Sequence, residues 1–337
     1  YFPPPRKYNL RMPLSIAIEV PATAPIREQV EYVQRAETLG FSAVGVPDIL
    51  LGGRDVFTTL AVAAAETRSI GLYPALTNPV TRSPFVLASA IRSIAEIAPG
   101  RIALGIGAGD SGVVHAGARP ATLFQLREAV TCIVRLLHGE AVAYSGGEPH
   151  SLGEPLRNPP PVMLGASGPR TIELAGEIAD EAILSVGLSP AILAVANHHL
   201  AQGAMRAGRA PASVPIIHYA LVSIDDDATV AVERTRYWLT QWLHLRTFRI
   251  GLDALGLHIP PFSQPSDLPA DLVRSLASHF FIAGTPEDVA QQIEKAGDDG
   301  VERLFCMFPA GRKSHWAHLE SLARLALGGR GKQAPRT

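Results

Sequence analysis

One acidic residue of this 337-residue chain lies in a run of apolar residues, where a carboxylate is unusual. Glu19 follows Ile16-Ala17-Ile18 and precedes Val20, in a segment that predicts a β-strand. Burying a carboxylate costs free energy unless the group is paired or protonated, and desolvation raises its pKa. Glu19 is therefore a candidate proton donor. The alternatives are an exposed strand end and a salt bridge to a neighbouring strand.

A glycine-rich segment over residues 105–110 can bring its backbone close to a planar ring or a phosphate. It contains the spacing GxGxG but lacks the third glycine of a dinucleotide-binding fingerprint. No acid ends a strand about 20 residues later, as that fingerprint requires. The spacing argues against an NAD-binding Rossmann fold and leaves a tight strand-to-loop turn as the alternative to a cofactor contact.

A second loop, over residues 165–170, has the composition of an anion site. Pro169 is suited to the first position of a helix, and Ser167 or Gly168 can cap it. The free backbone N–H groups of such a helix start attract anions, and Arg170 adds a positive charge. A phosphate-bearing cofactor fits this loop, and ordinary helix capping is the alternative.

The histidines and cysteines lack the spacing of a metal site. His198 and His199 are adjacent and point apart on a helix, while His315 and His318 have no acidic partner motif. His279 can face a pocket, with a purely structural role as the alternative. The two cysteines form no CxxC pair, and the sequence has no Walker A loop, HExxH or GxSxG motif. We therefore predict no bound metal.

Short apolar runs alternate with longer amphipathic stretches, which is typical of parallel βα units. The pattern predicts a (β/α)8 TIM barrel with insertions, and a doubly wound open sheet is the alternative. Further predicted elements are a surface hairpin over residues 139–160, a long helix over residues 226–248 and a helix that starts at Thr285-Pro286. The predicted strands cover residues 14–20, 41–46, 70–76, 101–106, 162–165, 182–186, 214–223 and 303–308.

The active site of such a barrel lies at the carboxyl ends of its strands. This rule selects Glu19, Asp48 and residues 75–79, 105–110 and 165–170. We predict one barrel domain over residues 14–330. An extended arm or cloning remnant over residues 1–13 precedes it, and a variable, lid-like insertion lies around residues 242–280.

Composition limits the classes of partner. Hydrophobic residues make up 47% of the chain and the net charge is −1, which gives no electrostatic case for a nucleic acid or an anionic membrane. No apolar run approaches the roughly 18 residues that span a bilayer. We expect a cytoplasmic protein that acts on a small molecule.

Several motifs taken together resemble one family. The chain resembles the luciferase-like superfamily of flavin- and deazaflavin-dependent barrels, and within it the coenzyme F420-dependent 5,10-methylenetetrahydromethanopterin reductases. The likeness spans about residues 14–325. The motifs are IAIEV at 16–20, LTNPVTRSP at 76–84, GR at 100–101, LGIGAGD at 104–110, GASGP at 165–169, AGEIAD at 175–180, GTPE at 284–287 and GV at 300–301.

This resemblance implies roles for individual residues and a homodimer or higher homo-oligomer. Glu19 matches the acid near the reacting centre and Asp48 is a second catalytic candidate, although Ile49 stands where relatives often carry histidine. The substrate-pocket candidates are His279 and Phe281. The implied cofactor contacts are a non-proline cis peptide at Ala75-Leu76 that supports the ring, Thr77 and Asn78 beside it, and the tail contacts Gly107, Gly109, Asp110, Gly165, Ala166, Ser167, Gly168 and Arg170.

The resemblance implies hydride transfer from reduced coenzyme F420 to a C=N or C=C bond, with Glu19 supplying a proton. A two-component monooxygenase that uses FMN is the first alternative. The alternative from another class is a redox-silent, cofactor-binding barrel, or a lyase that holds a divalent metal between Glu19, Asp48 and Asp110.

Overall fold

The computed structural model describes residues 14–309 and 312–328, so the predicted arm over residues 1–13 lies outside it. In this part of the chain eight parallel strands form a barrel, and a further short strand pairs in parallel with one of them. The strands are β1 (Ser15–Glu19), β2 (Ala43–Val46), β3 (Gly71–Pro74), β4 (Leu104–Ile106), β5 (Val162–Ala166), β6 (Glu181–Leu184), β7 (Ile216–Ile224), β8 (Ile282–Gly284) and β9 (Arg303–Met307).

The sheet closes on itself. Its strand order is β3-β2-β1-β9-β7-β6-β5-β4, and the two terminal strands of that order are joined by bridges from Leu72 to Ile102 and from Thr77 to Ile106. The amide of Leu72 donates to the carbonyl of Arg101 at 2.8 Å, and that of Thr77 to the carbonyl of Gly105 at 3.0 Å. The predicted TIM barrel is confirmed, and the open doubly wound sheet is wrong.

Helices surround the strands and connect them. The predicted capping of the helix after β8 is confirmed, since Thr285 and Asp288 form a reciprocal capping box. The helices of the described part are α1 (Ile26–Leu39), α2 (Val56–Glu66), α3 (Pro84–Ile97), α4 (Ser111–His115), α5 (Leu123–Leu137), α6 (Pro169–Ile178), α7 (Pro190–Arg206), α8 (Ala228–Glu233), α9 (Arg236–His244), α10 (Arg249–Leu255), α11 (Ala270–Phe280), α12 (Pro286–Asp298) and α13 (Arg312–Ala326).

The single long helix predicted over residues 226–248 is wrong, because that segment is divided between α8 and α9, with a second break before α10 begins at Arg249. The Thr235 hydroxyl donates to the carbonyl of Val232, which competes with helical bonding at the first break. At the second break Arg246 has a φ of 59°, in the left-handed region. The turn carries Phe248 into the core, where it is 1% exposed and stacks on Phe280 with ring centroids 4.2 Å apart.

The short elements β8 and α4 were not predicted. The third and sixth predicted strands end two residues early, the sixth at Leu184 instead of Val186. The strand β8 has three residues, too few for an alternation signal, and α4 has five. The third strand ends at Pro74 instead of Leu76, since the backbone leaves the sheet at Ala75. The predicted hairpin over residues 139–160 is present as one antiparallel bridge between Val142 and His150.

A layer of side chains fills the barrel at mid-height. It combines small residues on β1 and β2 with large ones on β3 and β9, and all of its members are buried. Above this layer the barrel opens at the carboxyl ends of its strands. The layer consists of Ala17, Ala43, Tyr73, Ala103, Met163, Ile183, Ile217 and Phe305.

Candidate active site

Glu19 ends β1 inside the barrel, two residues after Ala17 of the packed layer, so both side chains lie on the inner face. The side chain keeps some accessible surface because it lies at the open end, although the carboxyl group is deep in the protein. Burial raises the pKa of Glu19 from its ordinary 4.5 to about 8, and a hydrogen bond from Tyr219 opposes part of that rise. The carboxyl group is therefore protonated at neutral pH.

Tyr219 of β7 is the polar neighbour of Glu19, and sequence reasoning missed it. Its hydroxyl lies 3.1 Å from Oε2 of Glu19 and 2.9 Å from Sδ of Met307. Burial and the nearby Glu19 raise the pKa of Tyr219 well above its ordinary value, so the phenol stays neutral. The alternation of side chains along a strand could have identified Tyr219, because Ile217 and Tyr219 share the inner face of β7.

An aromatic wall continues from Tyr219 into the predicted lid. Trp242 of α9 has its ring centroid 5.6 Å from that of Tyr219 and 5.5 Å from that of Phe281. Phe281 is 2% exposed and also contacts Phe248 at 5.7 Å between centroids. Trp242 itself is only half-buried. The lid segment thus contributes an aromatic surface next to the acid, and Phe281 is part of it.

Asp48 lies two residues past the end of β2, and other side chains engage it. Its Oδ2 accepts a hydrogen bond from the Thr77 hydroxyl at 2.8 Å. The same oxygen forms an ion pair with the guanidinium group of Arg82 at 2.5 Å. The Asp48 side chain is 2% exposed, and Arg82 also pairs with Asp55 at 2.9 Å. This arrangement holds Thr77 in place, and both of the polar partners of Asp48 are side chains of the protein. Sequence reasoning missed Arg82, which lay inside a matching motif.

The peptide bond between Ala75 and Leu76 is cis, as the resemblance implies. The Leu76 side chain lies over the glycines of the neighbouring strands. A Cβ on Gly165 would be 2.0 Å from Cδ1 of Leu76, and one on Gly105 would be 2.9 Å from Cδ2. At Gly107 the corresponding distance to Cδ1 is 3.3 Å. Gly165 and Gly107 therefore make room for Leu76, which forms an apolar floor at this side of the mouth.

Asn78 and the loop after β4 border this floor. The Asn78 Oδ1 accepts bonds from the amides of Val80 and Thr81 at 3.0 and 2.9 Å, and its amide nitrogen has no acceptor among the described residues. Gly109 has a φ of 92° and packs against Val113. Asp110 precedes α4. The Asn78 amide group is free to donate to a bound molecule.

The loop between β5 and α6 has the predicted helix start. Ala166 ends β5, Ser167 follows it half-buried, and Gly168 is the N-cap, with its amide 3.2 Å from the Thr171 hydroxyl. Arg170 is exposed. The ten-residue helix α6 places the positive end of its dipole here. This loop fits a phosphate group, and the apolar floor with the Asn78 donor fits a planar ring.

His279 lies at the end of α11, where its Nδ1 is 2.7 Å from the Ser189 hydroxyl. It ties the lid segment to the loop after β6 and remains half-buried. In the described residues, His, Cys, Asp and Glu form no group of three or more that can hold a metal ion. Glu19, Asp48 and Asp110 thus do not combine into the metal site of the lyase alternative. None of the helices described here has the length and apolar composition of a membrane span.

Comparison with known proteins gives consistent results. The sequence model of the luciferase-like monooxygenase family matches residues 12–303. The chain is 31% identical to 5,10-methylenetetrahydromethanopterin reductase of Methanolobus tindarius, over 88% of this chain and 95% of the relative. It is 28% identical to coenzyme F420-dependent glucose-6-phosphate dehydrogenase of Microbacterium testaceum, over 82% and 86%.

The fold has a close counterpart among solved structures. The coenzyme F420-dependent tetrahydromethanopterin reductase of Methanopyrus kandleri superposes with a TM-score of 0.76 and 23% identity, covering 94% of this chain and 99% of that one. At this identity the likeness concerns the fold.

Proposed function

Because this chain belongs to the luciferase-like monooxygenase family, we propose that it is an oxidoreductase that transfers a hydride between reduced coenzyme F420 and a small organic substrate. The acceptor is a C=N or C=C bond. The two relatives described above support coenzyme F420 as the cofactor, since one is a methylenetetrahydromethanopterin reductase and the other is a coenzyme F420-dependent dehydrogenase.

The observation that carries this proposal is the buried carboxyl group of Glu19 at the barrel mouth, with the Tyr219 hydroxyl 3.1 Å from its Oε2. Reduction of a C=N bond adds a hydride to carbon and a proton to nitrogen. Glu19 holds a proton at neutral pH because its pKa is about 8, and a donor with a pKa near the working pH is effective. After transfer Glu19 is a carboxylate, which the Tyr219 hydroxyl stabilises by donating a hydrogen bond.

The cofactor supplies the hydride when it is bound, and the protein supplies orientation and exclusion of water. Leu76 would support the ring from below, with Ala75, Thr77 and Asn78 around it. Asp48 acts as a positioning residue for Thr77, since its carboxylate is already paired with Arg82. The contacts we propose for the phosphate and the cofactor tail are Gly107, Gly109, Asp110, Gly165, Ala166, Ser167, Gly168 and Arg170.

An FMN-dependent monooxygenase is the second candidate, because the matching family bears that activity in its description. The barrel, the apolar floor and the phosphate loop suit FMN as well. The oxygen dependence of turnover distinguishes the two candidates. Reduced deazaflavin reacts poorly with oxygen, whereas a monooxygenase consumes oxygen.

The first experiment is a fluorescence titration of the purified protein with coenzyme F420 and, separately, with FMN. We expect binding of coenzyme F420 and at least tenfold weaker binding of FMN. The reverse preference, with oxygen-dependent turnover, would overturn the proposal. The Glu19→Gln variant is expected to bind the cofactor normally and to lose about 10²- to 10⁴-fold in turnover. Full turnover in that variant contradicts the proton-donor role.

We also infer a cytoplasmic location, a small-molecule substrate and a homodimer or higher homo-oligomer. The balanced net charge of −1 supports the absence of nucleic-acid and membrane partners. His279 and Phe281 are proposed for the substrate pocket, next to the half-buried Trp242. One barrel domain over residues 14–330, with a lid around residues 242–280, completes the proposal.

A further inference from the structure

A cleft of about 1070 Å³ opens beside the start of α6. It lies between the Gly168 loop, helix α7 and the turn that joins α9 to α10. Pockets of 300–1,000 Å³ typically hold ligands the size of a drug molecule. The cleft therefore has room for much more than one phosphate group. Its charged lining residues are Arg170, His199, Arg246, Arg249 and Asp253.

The charge of this cleft is predominantly positive. Arg170 and Arg246 are exposed, and neither side chain has a hydrogen bond or an ion pair within the described residues. Arg249 makes only a long contact of 3.4 Å with Asp253, and both side chains are more than half exposed. His199 is paired with Glu173 at 2.8 Å. Three guanidinium groups thus face one acidic side chain, which favours an anionic ligand.

Two different parts of the chain contribute these arginines. Arg170 belongs to the loop for which we propose the cofactor phosphate. Arg246 and Arg249 belong to the lid segment and are separated from Arg170 in sequence by more than 70 residues. The cleft extends from the loop that carries Arg170 to the turn and helix that carry Arg246 and Arg249. A ligand with one anionic group would satisfy one end, whereas a chain with several anionic groups would satisfy both.

We infer that this cleft binds a polyanionic chain that continues past the cofactor phosphate, with Arg246 and Arg249 as its carboxylate-binding residues. The inference rests on the proposed function. Coenzyme F420 extends beyond its phosphate into a chain of glutamate residues, whereas FMN ends at the phosphate. The cleft is therefore the part of the site that distinguishes the two cofactors.

The test measures binding and needs no substrate. Dissociation constants are determined by fluorescence for coenzyme F420 with its glutamate chain and for the form that lacks the glutamates but keeps the phosphate. The proteins are the wild type, the Arg246→Gln/Arg249→Gln double variant and Arg274→Gln. Arg274 is an exposed arginine of α11 in the same lid segment and outside the cleft, so its variant is the matched control.

We expect the wild type and the Arg274→Gln control to bind the glutamate-bearing form about tenfold more tightly, as two exposed charge pairs would give. The double variant should lose that preference and bind the shorter form unchanged. The preference should also decrease when the ionic strength is raised, because exposed charges are screened.

Three other outcomes are informative. Equal binding of both forms by the wild type overturns the assignment of the cleft and leaves the proposed function intact. A loss in the double variant that is the same for both forms also overturns it, because the arginines would then act on the fold or on the phosphate. If neither form binds, the proposed function is wrong, and the assignment of the cleft fails with it.

Discussion

The Glu19→Gln variant should become more stable than the wild type as the pH rises. Glutamine has nearly the same shape as glutamate and cannot lose a proton, and its carbonyl can still accept the hydrogen bond of Tyr219. In the wild type the folded-state pKa of Glu19 is about 8, against an ordinary value of 4.5. Between these two values the unfolded chain has lost this proton while the folded chain keeps it. Raising the pH therefore favours unfolding of the wild type alone.

The size of this effect on the free energy of unfolding follows from the shift in the pKa of Glu19. Each unit of pKa difference corresponds to about 1.4 kcal/mol, so the full shift is worth about 5 kcal/mol by this arithmetic. The side chain keeps some accessible surface at the mouth, which reduces the effect to about 3 to 5 kcal/mol. The contribution of Glu19 to stability is complete below pH 4.5 and is lost as the pH rises to about 8. The loss is large beside a typical folding free energy of about 5–15 kcal/mol.

The assay is urea unfolding of both proteins at several pH values from 5 to 8. Subtracting the two free energies of unfolding at each pH cancels the titration of all other groups. The difference should grow by about 1 kcal/mol per pH unit in favour of the variant. Glu31→Gln, at an exposed position of α1, reports the effect of the substitution itself. A difference that stays constant from pH 5 to 8 would refute the buried, protonated state of Glu19.

Two further predictions concern the neighbours of this site. Tyr219→Phe removes the hydrogen bond that lowers the pKa of Glu19, so that pKa should rise by about 1–2 units, visible as the protonated-carboxyl band in infrared titration. An unshifted band would show that the hydroxyl serves Met307 instead. Gly165→Ala places a Cβ about where Cδ1 of Leu76 lies, and should cost about 1–3 kcal/mol in thermal unfolding. Adding Leu76→Ala should restore part of that loss, and simple additivity would contradict the packing described here.

The strand pattern and the location of the site could be predicted from the sequence. Parallel βα alternation places Glu19, Asp48 and the glycine-rich loops at one end of a barrel, and the structure has them there. Local signals also sufficed for the capping box at Thr285, because capping depends on residues three positions apart.

Contacts between distant segments could not be predicted in the same way. The hydrogen bond between Glu19 and Tyr219 joins residues 200 positions apart, and nothing near either residue specifies it. The end of α9 before Phe248 accompanies burial of Phe248 against Phe280, which is a tertiary effect that overrides the local helical pattern. The close packing of Gly165 against the side chain of Leu76 likewise joins segments that are distant in sequence, and nothing near Gly165 specifies it.

The packed layer at mid-height in the barrel has a consequence for proton supply. Its residues are buried and lie between Glu19 and the amino-terminal end of the strands. On the proposed mechanism, we expect Glu19 to regain its proton through the mouth, on the side where Trp242 lies. Reprotonation of Glu19 between turnovers would then depend on access of solvent to the mouth.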